Sequence, residues 1–201
     1  MTSNMSKKEL DSAERRAVST LFFVESDGGL DLKVGYLEFL GMQPSAPAEV
    51  VKLGDLMRMY PSEQVERDIC SVLDAQGWRP HLVACIALLC GRTTPRTLWY
   101  LWGAIQANSW VAPQLVATAS IVDPEFSDRA LWALASAHVH SKSAGALAAM
   151  LVDKANPDEE LRDEVVHGLA VGESHPDDPA HIARAWKQSV LRLLRPLEMG
   201  R

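Results

Sequence analysis

Long apolar runs are missing from this 201-residue chain. No stretch approaches the roughly 20 consecutive apolar residues that span a bilayer, so no membrane association is expected. Met1 to Asp11 is polar and has no signal-peptide core, which argues against secretion by that route. Cysteine is scarce: Cys70, Cys85 and Cys90 are odd in number, fall within apolar patterns and make no CxxC. They read as buried free thiols of a cytoplasmic protein. Basic residues are outnumbered, 20 Lys and Arg against 26 Asp and Glu, for a formal net charge of −6. Nucleic-acid binders attract phosphates through Lys and Arg, so no nucleic-acid partner is expected.

Catalytic signatures are absent as well. There is no Gly-rich phosphate loop, no HExxH and no GxSxG. Six histidines (His81, His138, His140, His167, His175 and His181) occur without a His-Glu dipeptide and read as surface or loop groups. A metal site needs ligands converging from rigid elements. No metal, cofactor or catalytic residue is therefore assigned, and the chain reads as a non-enzyme.

What the sequence does have is a repeat. Arg96, Arg129 and Arg162 stand 33 residues apart, with Leu98, Leu131 and Glu164 two positions on and Trp99, Trp132 and Val165 three positions on. Fourteen positions before each arginine come Leu82-Val83, Leu115-Val116 and Ala148-Ala149. A period of this size with apolar residues at helical spacing marks stacked helix pairs, none of which buries its own stripe alone. The pattern predicts helices near 49–60, 62–77, 80–90, 95–107, 111–122, 125–138, 143–154, 158–170 and 179–195. The first two form a degenerate leading repeat, and the one at 179–195 caps the stack.

Upstream, residues 1–45 are expected to form an N-terminal helical extension of a repeat domain over 46–201, the whole being one compact domain. Ser6 and Glu9 have capping-box spacing. Behind them a helix would reach about Glu25, and a second short helix would span Leu32 to Leu40. The rival is a hairpin looping at Asp27-Gly28-Gly29, since Thr20 to Val24 is β-prone.

Leu161 to Ala170 resembles the second helix of a HEAT-type repeat, and the segments after Arg129 and Arg96 resemble it less closely. That resemblance, carried by about half the chain, implies an all-α, right-handed solenoid of stacked antiparallel helix pairs. It also implies a scaffold that binds partners on a curved surface. HEAT-like folds include hydroxylases and DNA glycosylases, so an enzyme (lyase, hydroxylase or glycosylase) on this scaffold is the alternative. The aspartate that often accompanies the repeat arginine is not periodic here.

Two features point to a partner. Trp99 and Trp132 flank the core stripes of successive second helices, where they either fill the groove between repeats or form an exposed anchor pair. Trp78 and Trp110, at helix entries, are expected to pack locally. Between Asp153 and Asp178, nine acidic residues face only Lys154 and Arg162, a local balance of −7. Asp158, Glu159, Glu160 and Asp163, with the two tryptophans, are the candidate partner-binding residues. Such a surface suits a basic partner: a toxin or effector neutralised by an acidic immunity protein or inhibitor. A general adaptor, or a chaperone for a secreted protein, fits the same features.

Overall fold

The computed structural model describes residues 21–26, 29–136, 139–155 and 161–198. Among the described residues ten α-helices account for 72%, with almost no strand. Their all-helical packing agrees with the expected class.

The departure lies at the N-terminal side. Strands β1 (Phe23–Ser26) and β2 (Gly29–Leu32) form an antiparallel hairpin pairing Phe23 with Leu32 and Val24 with Asp31. The expected helix running to Glu25 is therefore a strand at its end, and the second helix, α1 (Tyr36–Leu40), begins four residues late. The physical reason is local. Phe22, Phe23 and Val24 are aromatic or β-branched, and the Asp-Gly-Gly that follows favours a tight reversal. Within β1 Phe23 is buried while its neighbour Val24 is exposed, so that strand turns one face to the core, and Leu21 and Phe22 before it are wholly buried. Ser6 and Glu9 lie outside the described residues.

The remaining helices fall close to their expected places: α2 (Ala46–Arg58), α3 (Ser62–Asp74), α4 (Trp78–Leu89), α5 (Pro95–Gln106), α6 (Ala112–Val122), α7 (Phe126–Ala135), α8 (Ser141–Val152), α9 (Asp163–Glu173) and α10 (Pro179–Glu198). Prolines occupy first-turn positions of α2, α5 and α6, where the missing N–H removes no helical bond. At α5 the start is fixed by a reciprocal threonine pair. Thr94 Oγ1 accepts from the Thr97 backbone N–H at 3.2 Å, and Thr97 Oγ1 accepts from that of Thr94 at 2.8 Å.

Helices of two chemistries alternate along the chain. In α4, α6 and α8 the runs His81–Leu88, Ala112–Ser120 and Lys142–Leu151 are buried without a break. A helix apolar on every side needs neighbours on every side. These three pack against one another in a central row. The amphipathic helices α3, α5, α7 and α9 flank that row, while α1 covers α4, and α10 lies across α8 and α6. Helix α10, expected to cover the last pair, thus packs on both α8 and α6. The indole N–H of Trp186 in α10 donates to the Phe39 carbonyl of α1 at 2.8 Å, joining elements 147 residues apart.

The most extensive helix contact, α8 on α9, depends on glycine. A β-carbon on Gly145 would stand 2.5 Å from the Gly172 α-carbon and 2.9 Å from Pro179. One on Gly168 would meet the Ala148 β-carbon at 3.0 Å. The two backbones therefore approach more closely than any side chain permits.

Candidate interaction surface

The outer helices bury one register and expose the next. Val65, Leu98 and Val165 are buried and Leu131 is half-buried against the core. One residue on, Trp99 is 67% exposed, Trp132 65% and Val166 51%. The intervals are 33 residues from α3 to α5 and from α5 to α7, then 34 from α7 to α9. The slip corrects the expected frame. Glu164, aligned by a strict 33 with Leu98 and Leu131, is exposed, and Val165 takes the buried place. Leu101 is fully buried, whereas Leu134 and Leu169 are only half-buried.

The arginines that reveal the period do not share one environment. Arg129 bonds Glu125 at 2.7 Å and lies 3.5 Å from Asp123. Among the described residues, Arg96 and Arg162 make no ion pair. Asp123, 2% exposed, also accepts the Trp102 indole N–H at 2.7 Å, so an Asp–Arg contact exists in one unit without becoming a ladder.

Trp102 and Trp99 sit on the same helix with opposite fates. Trp102 is buried and hydrogen-bonded; Trp99 rests edge-on against Tyr100, ring centroids 4.9 Å apart. Neither Trp99 nor Trp132 fills a groove between repeats. With Val166 they are exposed apolar side chains at matching positions of α5, α7 and α9.

Of the acidic candidates, Asp163 is exposed in the first turn of α9, where the helix dipole favours a carboxylate. Asp158, Glu159 and Glu160 lie outside the described residues. Folding supplies two cations that the linear count omits. Arg184 pairs with Asp153 at 2.9 Å, and Lys142 with Asp177 at 2.6 Å. The Lys142 ammonium beside it holds the Asp177 carboxyl below the usual range.

A second aromatic assembly lies at the entries of the central helices. Tyr36 meets Trp78 at 5.7 Å, and Trp78 meets Trp110 at 4.9 Å. Arg79 stands 5.0 Å from the Trp78 ring and donates to the Tyr36 hydroxyl at 2.9 Å. At the other end the Lys142 ammonium sits 5.4 Å from the Trp110 ring and donates to the Trp110 carbonyl at 3.3 Å. Such cation–aromatic contacts add to packing. The expected local role for Trp78 and Trp110 understates a chain of contacts running from α1 to the α9–α10 turn. Its signal was present in the spacing: Trp78, Trp110 and Lys142 are 32 residues apart.

Beside it, His81 is buried, contrary to the surface expectation. Its Nε2 meets the Ala75 carbonyl at 3.0 Å and its Nδ1 meets Ser109 Oγ at 2.8 Å. Nε2–H therefore donates to the carbonyl and Nδ1 accepts the hydroxyl proton. Burial holds its pKa below the usual histidine value. Burial likewise pushes the Cys85 thiol up to about 12 and Cys70 to about 11, while Cys90 is half-buried. Among the described residues no three His, Cys, Asp or Glu side chains cluster as a metal site would. No described helix is long and apolar enough to cross a membrane.

No family model, curated protein or solved structure matches this chain.

Proposed function

We propose that this protein is a non-enzymatic protein-binding module, a right-handed HEAT-like solenoid that docks a partner on its outer helices through Trp99, Trp132 and Val166. The observation that carries the reading is the exposure of both tryptophans at corresponding positions of successive helices. Large apolar side chains held in solvent contribute little to the monomer's core, and large apolar side chains exposed at matching positions are characteristic of interaction sites. Tryptophan is also enriched among residues that dominate interface energy.

Exposed carboxylates one helical turn away, Asp163 from Val166 and Asp128 from Trp132, favour a basic partner. An acidic inhibitor or immunity protein acting on a basic toxin or effector matches that chemistry. In such a complex the charges set the association rate and the aromatic anchors set the lifetime.

The test is comparative capture from the source cell, with the wild type, the double variant Trp99→Ser/Trp132→Ser and the control Trp110→Ser as baits. A protein retained by wild type and control but lost from the double variant is expected. Identical recovery on all three baits would eliminate the outer row as the docking surface. With the partner in hand, association should slow steeply with salt.

A further inference from the structure

Away from the outer row, α2, the turn after α4 and α10 enclose a groove of about 770 Å³, within the roughly 300–1,000 Å³ of small-molecule sites. Its apolar wall includes Val51, Met57, Leu89 and Leu194, and among the described residues its charged lining is Arg58 and Arg92. Arg58 already pairs with Asp55, one turn back on its own helix. Arg92 differs. It is half-buried and makes no hydrogen bond or ion pair among the described residues. Gly91, at φ +86°, turns the chain out of α4 immediately before it. A guanidinium stays charged in any environment, and a partly desolvated charge with no counter-charge is favourably completed by an anion.

We propose that this groove binds a small amphipathic anion, a carboxylate or phosphate head on an apolar chain. The head pairs with Arg92, and the chain lies along Val51, Met57, Leu89 and Leu194. Cys90 lines the same groove, so an occupant shields its thiol, while buried Cys70 and Cys85 serve as internal references.

The experiment uses the full chain and probes kept below their micelle concentrations: hexanoate, octanoate and decanoate, with octanol, acetate and octyl phosphate. Binding is read by calorimetry and by the iodoacetamide alkylation rate of Cys90, followed by mass spectrometry. Octanoate or octyl phosphate should slow Cys90 alkylation severalfold, and whichever binds tighter identifies the head group. Affinity should rise roughly 2- to 4-fold per added methylene. Octanol and acetate should bind at least about tenfold more weakly, because each lacks one half of the recognised chemistry. Arg92→Gln, and independently Val51→Glu at an exposed position, should each lower affinity about tenfold or more with an unchanged thermal midpoint. Trp99→Ser/Trp132→Ser should leave it untouched. Cys90 alkylation indifferent to every probe, octanol binding as tightly as octanoate, or an Arg92→Gln variant of undiminished affinity would overturn the proposal.

Discussion

The central row and the outer row are built of helices of similar length from opposite materials. From Ala144 on, helix α8 is a run of Ala, Gly, Leu, Met and Val, and all of Lys142 to Leu151 is buried, whereas α7 buries only Phe126, Ala130 and Ala133. The central helices have no face left over, since outer helices cover one side and α1 and α10 much of the other. Stability is concentrated there, and the outer row keeps the exposed side chains.

Glycine sharpens this contrast most. Gly172→Leu should destabilise by at least about 3 kcal/mol, because α8 and α9 would have to separate to admit the side chain. Leu147→Ala in the central row should cost roughly 2–5 kcal/mol, and Leu131→Ala in the outer row about 1–2, since less of it is removed from water. Chemical denaturation checks all three; equal losses at Leu147 and Leu131 would erase the distinction between the rows.

His81 makes a smaller, pH-dependent difference. Its folded pKa is lowered from 6.5, so below about pH 6.5 the unfolded chain takes up a proton that the folded chain refuses. Stability should then fall on acidification, by up to about 1.4 kcal/mol per pH unit, and be fully present above that range. Thermal midpoints between pH 7.5 and 5.5 should show a slope reduced in His81→Gln; parallel slopes would remove His81 as its source.

On the outer row the expected changes are smaller or opposite in sign. A β-carbon at Gly103 meets nothing within 4 Å, so Gly103→Ala should stabilise by about 0.5–1 kcal/mol. Trp99→Ser and Trp132→Ser should stay within about 0.5 kcal/mol of wild type. A large loss at either tryptophan would mean that it packs and is no anchor.

Much of this arrangement was legible because helical periodicity is a short-range signal. The pattern placed α4 to α8 within a few residues, and it put Leu98, Leu101 and Trp102 in the core. The tryptophan flank at Trp99 and Trp132 was also readable, though not its exposure, which depends on how far α5 and α7 stand from their neighbours. The hairpin at Phe23, open as the rival to a helix, won because Phe23 packs into the core while Val24 faces out. Two things escaped. The one-residue slip at Val165 was hidden by Arg162, whose spacing is regular although its contacts are not. The aromatic chain from Tyr36 to Lys142 is made between units, and no window along one helix contains it. The groove at Arg92 has the same character, drawing on α2, α4 and α10.

The bond from Trp186 to the Phe39 carbonyl has a consequence for how the molecule grows and melts. Open repeat arrays tolerate lengthening and unfold piecemeal, because each unit touches only the next. Here α10 crosses α8 and α6 and its Trp186 meets α1, so inserting or deleting helices between them would carry the indole away from its acceptor. The number of helices is thereby set by the closure, and heat should release them in a single cooperative step.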